Sequence, residues 1–180
     1  GSYTFADGTI DKGIWEKGEL VNKISTGKKT DKKKESKKKE VKIAKNEQIQ
    51  TESSLPECEG SPLEVKKFSL TGGVFSSKLK LLSKWRDCQG ILIAKDGSEY
   101  VGEFQGGKFS GQGTFKYNDG AIYKGAFIRG KSDGYGSYRF SNGDLYVGEF
   151  LKDSFHGQGI FTRNSGGQYE GEFAKGVYNG

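Results

Sequence analysis

Glycines and aromatic rings recur at an interval of 23 residues in the second half of the chain. A segment that starts at Tyr100 starts again at Tyr123, Tyr146 and Tyr169. In each copy a tyrosine, a glycine and a phenylalanine stand two positions apart, and a later run alternates two glycines and an aromatic residue in the same way. This period of two predicts β-strands that carry these residues on one face.

The stretches between the predicted strands contain the Gly, Asn and Asp residues that short turns require, as in residues 105–110 and 118–122. Each copy is therefore predicted to be a β-hairpin. The predicted fold class is all-β, an elongated antiparallel ribbon of stacked hairpins. A helix is disfavoured because each glycine in a helix costs about 1 kcal/mol relative to alanine.

The glycines are predicted to lie under aromatic rings, so that large side chains fill the space that small ones leave. Parity and turn length predict these facing pairs: Phe104 with Gly111, Gly102 with Gly113, Tyr100 with Phe115 and, across the next junction, Phe115 with Gly125 and Gly113 with Phe127. One hairpin cannot bury its ring face by itself, so neighbouring hairpins must stack.

The first twenty residues match the same pattern out of order. Residues 1–10 match the second half of a repeat and residues 11–20 match the first half, with Trp15 in a ring position. Since residues 88–99 match another second half, we predict one split hairpin, in which strand 11–15 pairs with 90–94. The alternative is two separate arrays joined by a linker.

The domain prediction follows from this pattern. Residues 1–20 are half repeats, residues 21–87 are an insertion at a hairpin tip, and residues 88–180 are the main array, which stops inside a repeat. The sequence is therefore expected to be part of a longer protein.

The net charge of +6 is concentrated in one tract. Residues 21–50 contain 11 lysines against four acidic residues, so the remainder of the chain is nearly neutral and is not a basic nucleic-acid surface. The tract at 28–42 has too few apolar groups to offset the entropy of ordering, and the insertion is predicted to be largely disordered. The candidate lipid-binding residues are Lys32, Lys33, Lys34, Lys37, Lys38 and Lys39; the alternative is a solubilising linker.

A short amphipathic helix is predicted at residues 76–87. Leu79, Leu82 and Trp85 would share one side, with lysines and an arginine around them. Such a helix lies on a membrane surface, or it forms a flap that docks against the ring face or the end of the ribbon. We favour the flap.

Candidate catalytic chemistry is sparse. The only histidine is His156, and it stands in a predicted turn. The same position in the other copies holds Ser110, Asp133 and Asn179. Glu103, Glu149 and Glu172 are predicted to lie opposite the rings, about 9–10 Å apart, which is too far for a retaining carboxylate pair. No enzyme activity, cofactor, metal site or small-molecule substrate is expected within these residues.

Cys58 and Cys88 share no local motif. They are therefore predicted to be plain thiols in a reducing, cytoplasmic protein that associates with the cytoskeleton or a membrane.

The repeated run of Tyr-x-Gly-x-Phe, Gly, Gly-x-Gly-x-aromatic and Asp/Asn-Gly resembles the MORN repeat (membrane occupation and recognition nexus). The likeness is dense over residues 90–180 and looser over 1–20. It departs from the pattern where Asp11 replaces a tyrosine and where Asp153 and Cys88 replace glycines.

The resemblance implies a platform that binds other molecules. We expect a non-catalytic scaffold that mediates protein–protein interaction in cytoskeletal, ciliary or membrane-junction assemblies. The alternative is a membrane-targeting module that recognises anionic phospholipids, such as the regulatory part of a phosphatidylinositol phosphate kinase. Because a single-layer ribbon was expected to expose its rings, the predicted partner-binding residues are Tyr100, Phe104, Tyr123, Phe127, Tyr146 and Phe150.

Overall fold

A computed structural model of the chain describes residues 1–17, 19–28, 54–65 and 79–179. These residues form one sheet of 13 strands. The strands are β1 (Ser2–Thr4), β2 (Thr9–Glu16), β3 (Glu19–Lys28), β4 (Leu63–Val65), β5 (Cys88–Ala94), β6 (Glu99–Gln105), β7 (Lys108–Lys116), β8 (Ile122–Ile128), β9 (Lys131–Arg139), β10 (Leu145–Leu151), β11 (Ser154–Thr162), β12 (Gln168–Ala174) and β13 (Val177–Tyr178). A single helical turn, α1 (Leu79–Leu82), precedes β5.

The strands follow one path across the sheet, in the order β3-β2-β1-β12-β11-β10-β9-β8-β7-β6-β5-β4, with β13 also paired to β12. From β5 to β12 each strand pairs with its neighbours in sequence, so this part is a ribbon of consecutive antiparallel hairpins. The described pairing is antiparallel except between β4 and β5. The predicted all-β ribbon is confirmed.

Short turns close the hairpins on the side where Asp-Gly or Asn-Gly pairs occur. In the turn between β7 and β8, the Asp119 carboxylate accepts a hydrogen bond from the Ala121 N–H at 2.9 Å. Gly120 follows with a φ of 89°, a conformation that favours glycine. The local sequence thus sets where each strand ends.

The predicted register is right in the middle of each hairpin and wrong towards its tip. Tyr100 faces Phe115 and Gly102 faces Gly113, as expected. A register shift after Gly102 then places Phe104 opposite Phe109 instead of Gly111. The shift is a β-bulge, an extra residue that parity alone does not count.

The predicted pairing across the next junction is also wrong. Phe115 faces Tyr123 and Gly113 faces Gly125. Rings therefore face rings along one line of the sheet, and glycines face glycines along the next. The strands are shifted by two residues from the expected register, which keeps every side chain on its predicted face.

The N-terminal strands pair at the opposite end of the ribbon from the one predicted. β1 pairs with β12 of the last repeat, and β2 pairs with β1 and β3. Neither the split hairpin of 11–15 with 90–94 nor two separate arrays is present. Both ends of the array expose an equivalent strand edge, and β1 takes the one at β12.

Part of the segment predicted as an insertion belongs to the folded array. β3 extends the sheet beyond β2, and β4 runs beside β5. Next to β4, the Cys58 N–H donates to the Gln89 carbonyl at 2.6 Å, and the Gln89 N–H donates to the Pro56 carbonyl at 2.8 Å. Residues 54–65 thus cover the outer edge of β5. The tract at 28–42 lies outside the described residues apart from Lys28.

The flap alternative for residues 76–87 agrees with the described part of that segment. Leu82 and Trp85 are buried. The Trp85 ring packs edge-on against Phe104 with centroids 4.7 Å apart, and its indole N–H donates to the Glu59 carbonyl at 2.8 Å. The only helix among the described residues is the single turn α1, so none there is long and apolar enough to cross a membrane.

Candidate interaction surface

The six rings predicted to bind a partner form the core of the molecule. Their exposed fractions run from 0 to 5%. They are Tyr100, Phe104, Tyr123, Phe127, Tyr146 and Phe150. The prediction that these rings form an accessible surface is wrong, because rings of adjacent repeats cover one another.

Edge-to-face contacts link each repeat to the next. The Tyr100 ring meets Phe127 of the following repeat at a centroid distance of 5.1 Å, and Tyr123 meets Phe150 at 4.8 Å. These are favourable geometries for aromatic pairs. A single sheet can therefore bury its rings without a second layer.

Each core tyrosine also holds the backbone of its own hairpin. The Tyr100 hydroxyl donates to the Glu103 carbonyl at 2.9 Å, and the Tyr146 hydroxyl donates to the Glu149 carbonyl at 2.8 Å. Burial raises the pKa of Tyr100 and Tyr146 well above the usual tyrosine range. Both phenols are therefore neutral donors over the physiological pH range.

A second column of rings, missed by the sequence analysis, covers the first. Phe109 stacks on Tyr100 at 3.7 Å, and Phe155 stacks on Tyr146 at 3.9 Å. Tyr178 stacks on Tyr169 at 4.2 Å. The signal was present, because these residues recur at the same interval of 23 and directly follow the predicted hairpin tips.

Ser132 replaces the ring of this column in one repeat. Its backbone N–H donates to the Asp153 carboxylate at 2.7 Å and its hydroxyl donates to the same oxygen at 3.2 Å. Asp153 itself has a φ of 71° in a turn position where the other repeats have glycine. The two departures from the repeat pattern therefore compensate each other locally.

The predicted solvated column of glutamates has a structural role at the bulges. The Glu103 carboxylate accepts a hydrogen bond from the Gln112 N–H at 3.1 Å, and Glu149 accepts one from the Gln158 N–H at 3.0 Å. A side chain at Gly111 or Gly157 would collide with these carboxylates. Glutamate and glycine together thus form the bulge.

His156 lies in strand β11 beside the bulge, and not in a turn as predicted. Its side chain is exposed. Among the described residues no group of three or more His, Cys, Asp or Glu side chains is arranged to hold a metal ion. We find no constellation for catalysis in this part of the chain.

Cys58 and Cys88 form a disulfide, so the prediction of two plain thiols is wrong. Both side chains are buried. The bond joins the segment that covers β5 to β5 itself, next to the buried Trp85. The sequence gave no sign of it because the two cysteines, 30 residues apart, share no motif.

The face opposite the rings, here called the outer face, carries the exposed apolar side chains of the central hairpins. Ile128, Tyr135 and Leu151 are 55%, 59% and 44% exposed. They lie on the neighbouring strands β8, β9 and β10, where Tyr135 faces Glu149. We call these three residues the outer patch.

An open groove of about 520 Å³ lies at the turn edge of the last two repeats. Its lining includes Asp144, Arg163 and Tyr178. The Arg163 guanidinium is placed over the Tyr3 ring at 5.6 Å, and Asp144 accepts the Asn164 N–H at 2.8 Å. Both charged groups are thus engaged by the protein, which leaves the groove without a convergent set of ligand-binding atoms.

The six lysines predicted to bind lipid, at positions 32–34 and 37–39, lie outside the described residues. Their role stays a prediction.

Comparison with known proteins identifies the repeated unit. A family model for the MORN repeat matches residues 100–122, 123–145, 146–168 and 169–180 as four consecutive copies. These boundaries coincide with the tyrosines that begin β6, β8, β10 and β12. A search of curated proteins found no match to the chain.

Proposed function

Residues 100–180 make this chain a MORN repeat protein, and on that premise we propose that it is a non-catalytic scaffold that binds a protein partner through the outer patch. MORN arrays are interaction or membrane-association modules. The observation that carries the choice of a protein partner is the exposure of Ile128, Tyr135 and Leu151 together on one face.

The outer patch has the composition of a protein-binding centre. Large aromatic and aliphatic side chains dominate the energy of such centres, and clustered exposed apolar groups mark them. The patch is held on rigid strands because the buried rings fix the opposite face of the same residues' neighbours. Ile128 and Leu151 occupy equivalent positions in successive hairpins, about 9–10 Å apart, which suits contact with one helix or strand of a partner.

The test compares two variants of equal chemical severity. One replaces the outer patch (Ile128→Ser, Tyr135→Ser, Leu151→Ser), and the other replaces Val101→Ser, which is 40% exposed on the same face but lies away from the patch. Proximity labelling in cells identifies partners of the wild-type chain, and binding is then measured with each purified partner. Loss of a hot-spot group costs about 2 kcal/mol or more, which is a loss of at least about thirtyfold in affinity.

The outcome is decisive if both variants keep the wild-type circular dichroism and melting temperature. Binding that falls in the patch variant and persists in the Val101→Ser control supports the proposal. Equal binding by the wild type and the patch variant refutes it.

Anionic phospholipid binding is the second candidate. It is supported by the 11 lysines of residues 21–50, each of which contributes about 1 kcal/mol near a charged bilayer. Flotation with vesicles that contain or lack acidic lipid, at physiological salt, tests it. Replacing the six lysines at 32–34 and 37–39 with glutamine is expected to abolish flotation, whereas the outer-patch variant is expected to float normally. The role as a regulatory part of a lipid kinase stays a prediction.

We propose that the protein acts at the cytoskeleton or a membrane in the cytoplasm, as its composition predicts. The Cys58–Cys88 disulfide weighs against a reducing compartment, since such bonds persist mainly in oxidising ones. Thiol alkylation in freshly lysed cells distinguishes the two. Two alkylated cysteines support the cytoplasm, and none supports an oxidising compartment.

A further inference from the structure

The second strand of the last hairpin is built from two separate parts of the chain. Val177–Tyr178 pair with the end of β12, and Ser2–Thr4 pair with its beginning. Tyr3 faces Tyr169 just as Phe115 faces Tyr100 and Phe161 faces Tyr146 in the complete hairpins. The start of the chain therefore completes the last repeat.

Trp15 then continues the ring contacts between repeats. It meets Tyr169 edge-on at 5.4 Å, in the way that Phe127 meets Tyr100 at 5.1 Å and Phe173 meets Tyr146 at 4.8 Å. Residues 1–28 thus add one more repeat to the end of the array. The contact they make is the general contact between one repeat and the next.

The covalent connection makes this arrangement costly within a single chain. β3 and β4 are at opposite ends of a path of twelve strands, which is eleven spacings or about 53 Å. From Lys28 to Ser54 the chain has 26 residue steps. A flexible chain of that length has a root-mean-square end-to-end distance of only about 28 Å. A tether that must stretch to about twice this distance gives a low effective concentration.

A second copy removes this mismatch. If residues 1–28 of one copy sit on β12 of another, then β3 comes next to the β4–β5 end of its own chain. The connection spans a short distance, and the strand pairs and ring contacts are unchanged. From these observations we infer that residues 1–28 are exchanged between copies, so that the N-terminal strands of one molecule complete the last repeat of the next in a head-to-tail assembly.

The assembly is heterologous, because each copy offers a β12 edge at one end and the N-terminal strands at the other. Such contacts produce rings when the geometry closes and filaments when it does not. The inference does not depend on the outer patch or on a protein partner.

Cysteine cross-linking of the full chain separates the two arrangements. Ser2 and Glu170 are directly opposite across β1 and β12, and opposite residues of antiparallel strands are close enough for a disulfide. The two natural cysteines already form a disulfide and do not interfere. Ser2→Cys and Glu170→Cys are made in separate chains with tags of different size, refolded together at high micromolar concentration and oxidised. Exchange predicts a cross-linked heterodimer, and the double variant predicts a ladder of linked chains.

The matched control uses Ser137→Cys and Val147→Cys, which face each other across β9 and β10 within one hairpin. Its double variant is expected to form only intramolecular bonds, and its mixed single variants no heterodimer. An exclusively intramolecular bond between positions 2 and 170, with no heterodimer in the mixture, overturns the exchange. Absence of any bond between these positions also overturns it, since β1 would then not lie beside β12.

A shortened connection gives an independent measurement. Deletion of residues 32–41 leaves 16 steps, whose full extension of about 54 Å barely covers the required span. The exchange model expects the deletion variant to remain assembled, with 2–170 cross-links formed only between copies. Monomeric protein by light scattering, with β1 released, contradicts it.

Discussion

The Tyr100 hydroxyl donates to the carbonyl of Glu103 at 2.9 Å while its ring lies over the backbone of Gly113. The hydrogen bond holds the strand at the point where the bulge begins, and the ring occupies the space that a side chain at position 113 would need. The same relationship joins Tyr146 to Glu149 and Gly159. Tyrosine and glycine therefore act as one unit in each repeat.

Gly113→Ala is expected to destabilise the array. A Cβ at this position would lie 2.5 Å from the Tyr100 hydroxyl oxygen, and the buried ring cannot move away. Overpacking of this kind costs about 1–3 kcal/mol, measured as a lower midpoint in urea. Thr114→Ala on the outer face of the same strand is the control. Equal midpoints for the two variants would contradict the close approach of ring and glycine.

Phe155→Ser is expected to unfold the middle of the ribbon. The substitution removes the ring that stacks on Tyr146 at 3.9 Å and leaves a hydroxyl without the carboxylate that Ser132 has in its repeat. Truncation of a core phenylalanine costs about 3–5 kcal/mol. Thermal melts followed by circular dichroism measure the loss, with Val147→Ser on the outer face as the comparison. A mild effect at Phe155 would mean that the second ring column is dispensable.

Stability is expected to fall as the pH rises above about 10. Burial raises the pKa of Tyr117 and Tyr169 to about 12, and it raises the pKa of Tyr123 further. Because these phenols ionise near pH 10 when unfolded, the unfolded state loses protons first. Each such tyrosine then costs about 1.4 kcal/mol per pH unit between its unfolded and folded pKa. Tyrosinate absorbance should appear together with the loss of β-structure.

This prediction has a clear opposite result. Ionisation of all the tyrosines near pH 10, with the circular dichroism unchanged, would show that the rings are accessible to water.

Loss of the Cys58–Cys88 disulfide is expected to loosen the segment that covers β5. The bond closes a loop of 30 residues, and loops of this size contribute about 2–4 kcal/mol. The double variant Cys58→Ser, Cys88→Ser should melt at a lower temperature, with red-shifted emission from Trp85, which is buried at 1% exposure in the intact protein. A reductant should reproduce the effect in the wild type and have none in the variant. No change on reduction would indicate that the hydrogen bonds to Gln89 suffice.

The repeat, its strands and its inward rings could be predicted from the sequence because they depend on local signals. Alternation of Tyr100, Gly102 and Phe104 specifies a strand and its buried face, the Asp119-Gly120 turn ends it, and each signal recurs at the same interval. Both the all-β ribbon and the MORN assignment follow from these signals. Neither requires knowledge of contacts between distant residues.

The structure decided the features that depend on contacts between distant parts of the chain. A bulge after Gly102 changed the pairing at the tip, rings stacked on rings removed Tyr100 and Phe104 from the surface, and the disulfide joined residues 30 apart. The candidate partner surface therefore moved from the rings to the outer patch. An aromatic pattern marks an inner face, but how completely it is covered depends on the neighbouring repeats.

The position of residues 1–28 shows this limit most directly. A half repeat carries the same pairing groups wherever it binds, and the strand edges at β5 and β12 offer it equivalent partners. The sequence identified residues 1–20 as repeat material and could not choose between these edges. The three-dimensional structure assigned them to β12, where Tyr3 faces Tyr169 and Trp15 packs against the same ring, because only there does a completed hairpin leave no half repeat unpaired among the described strands.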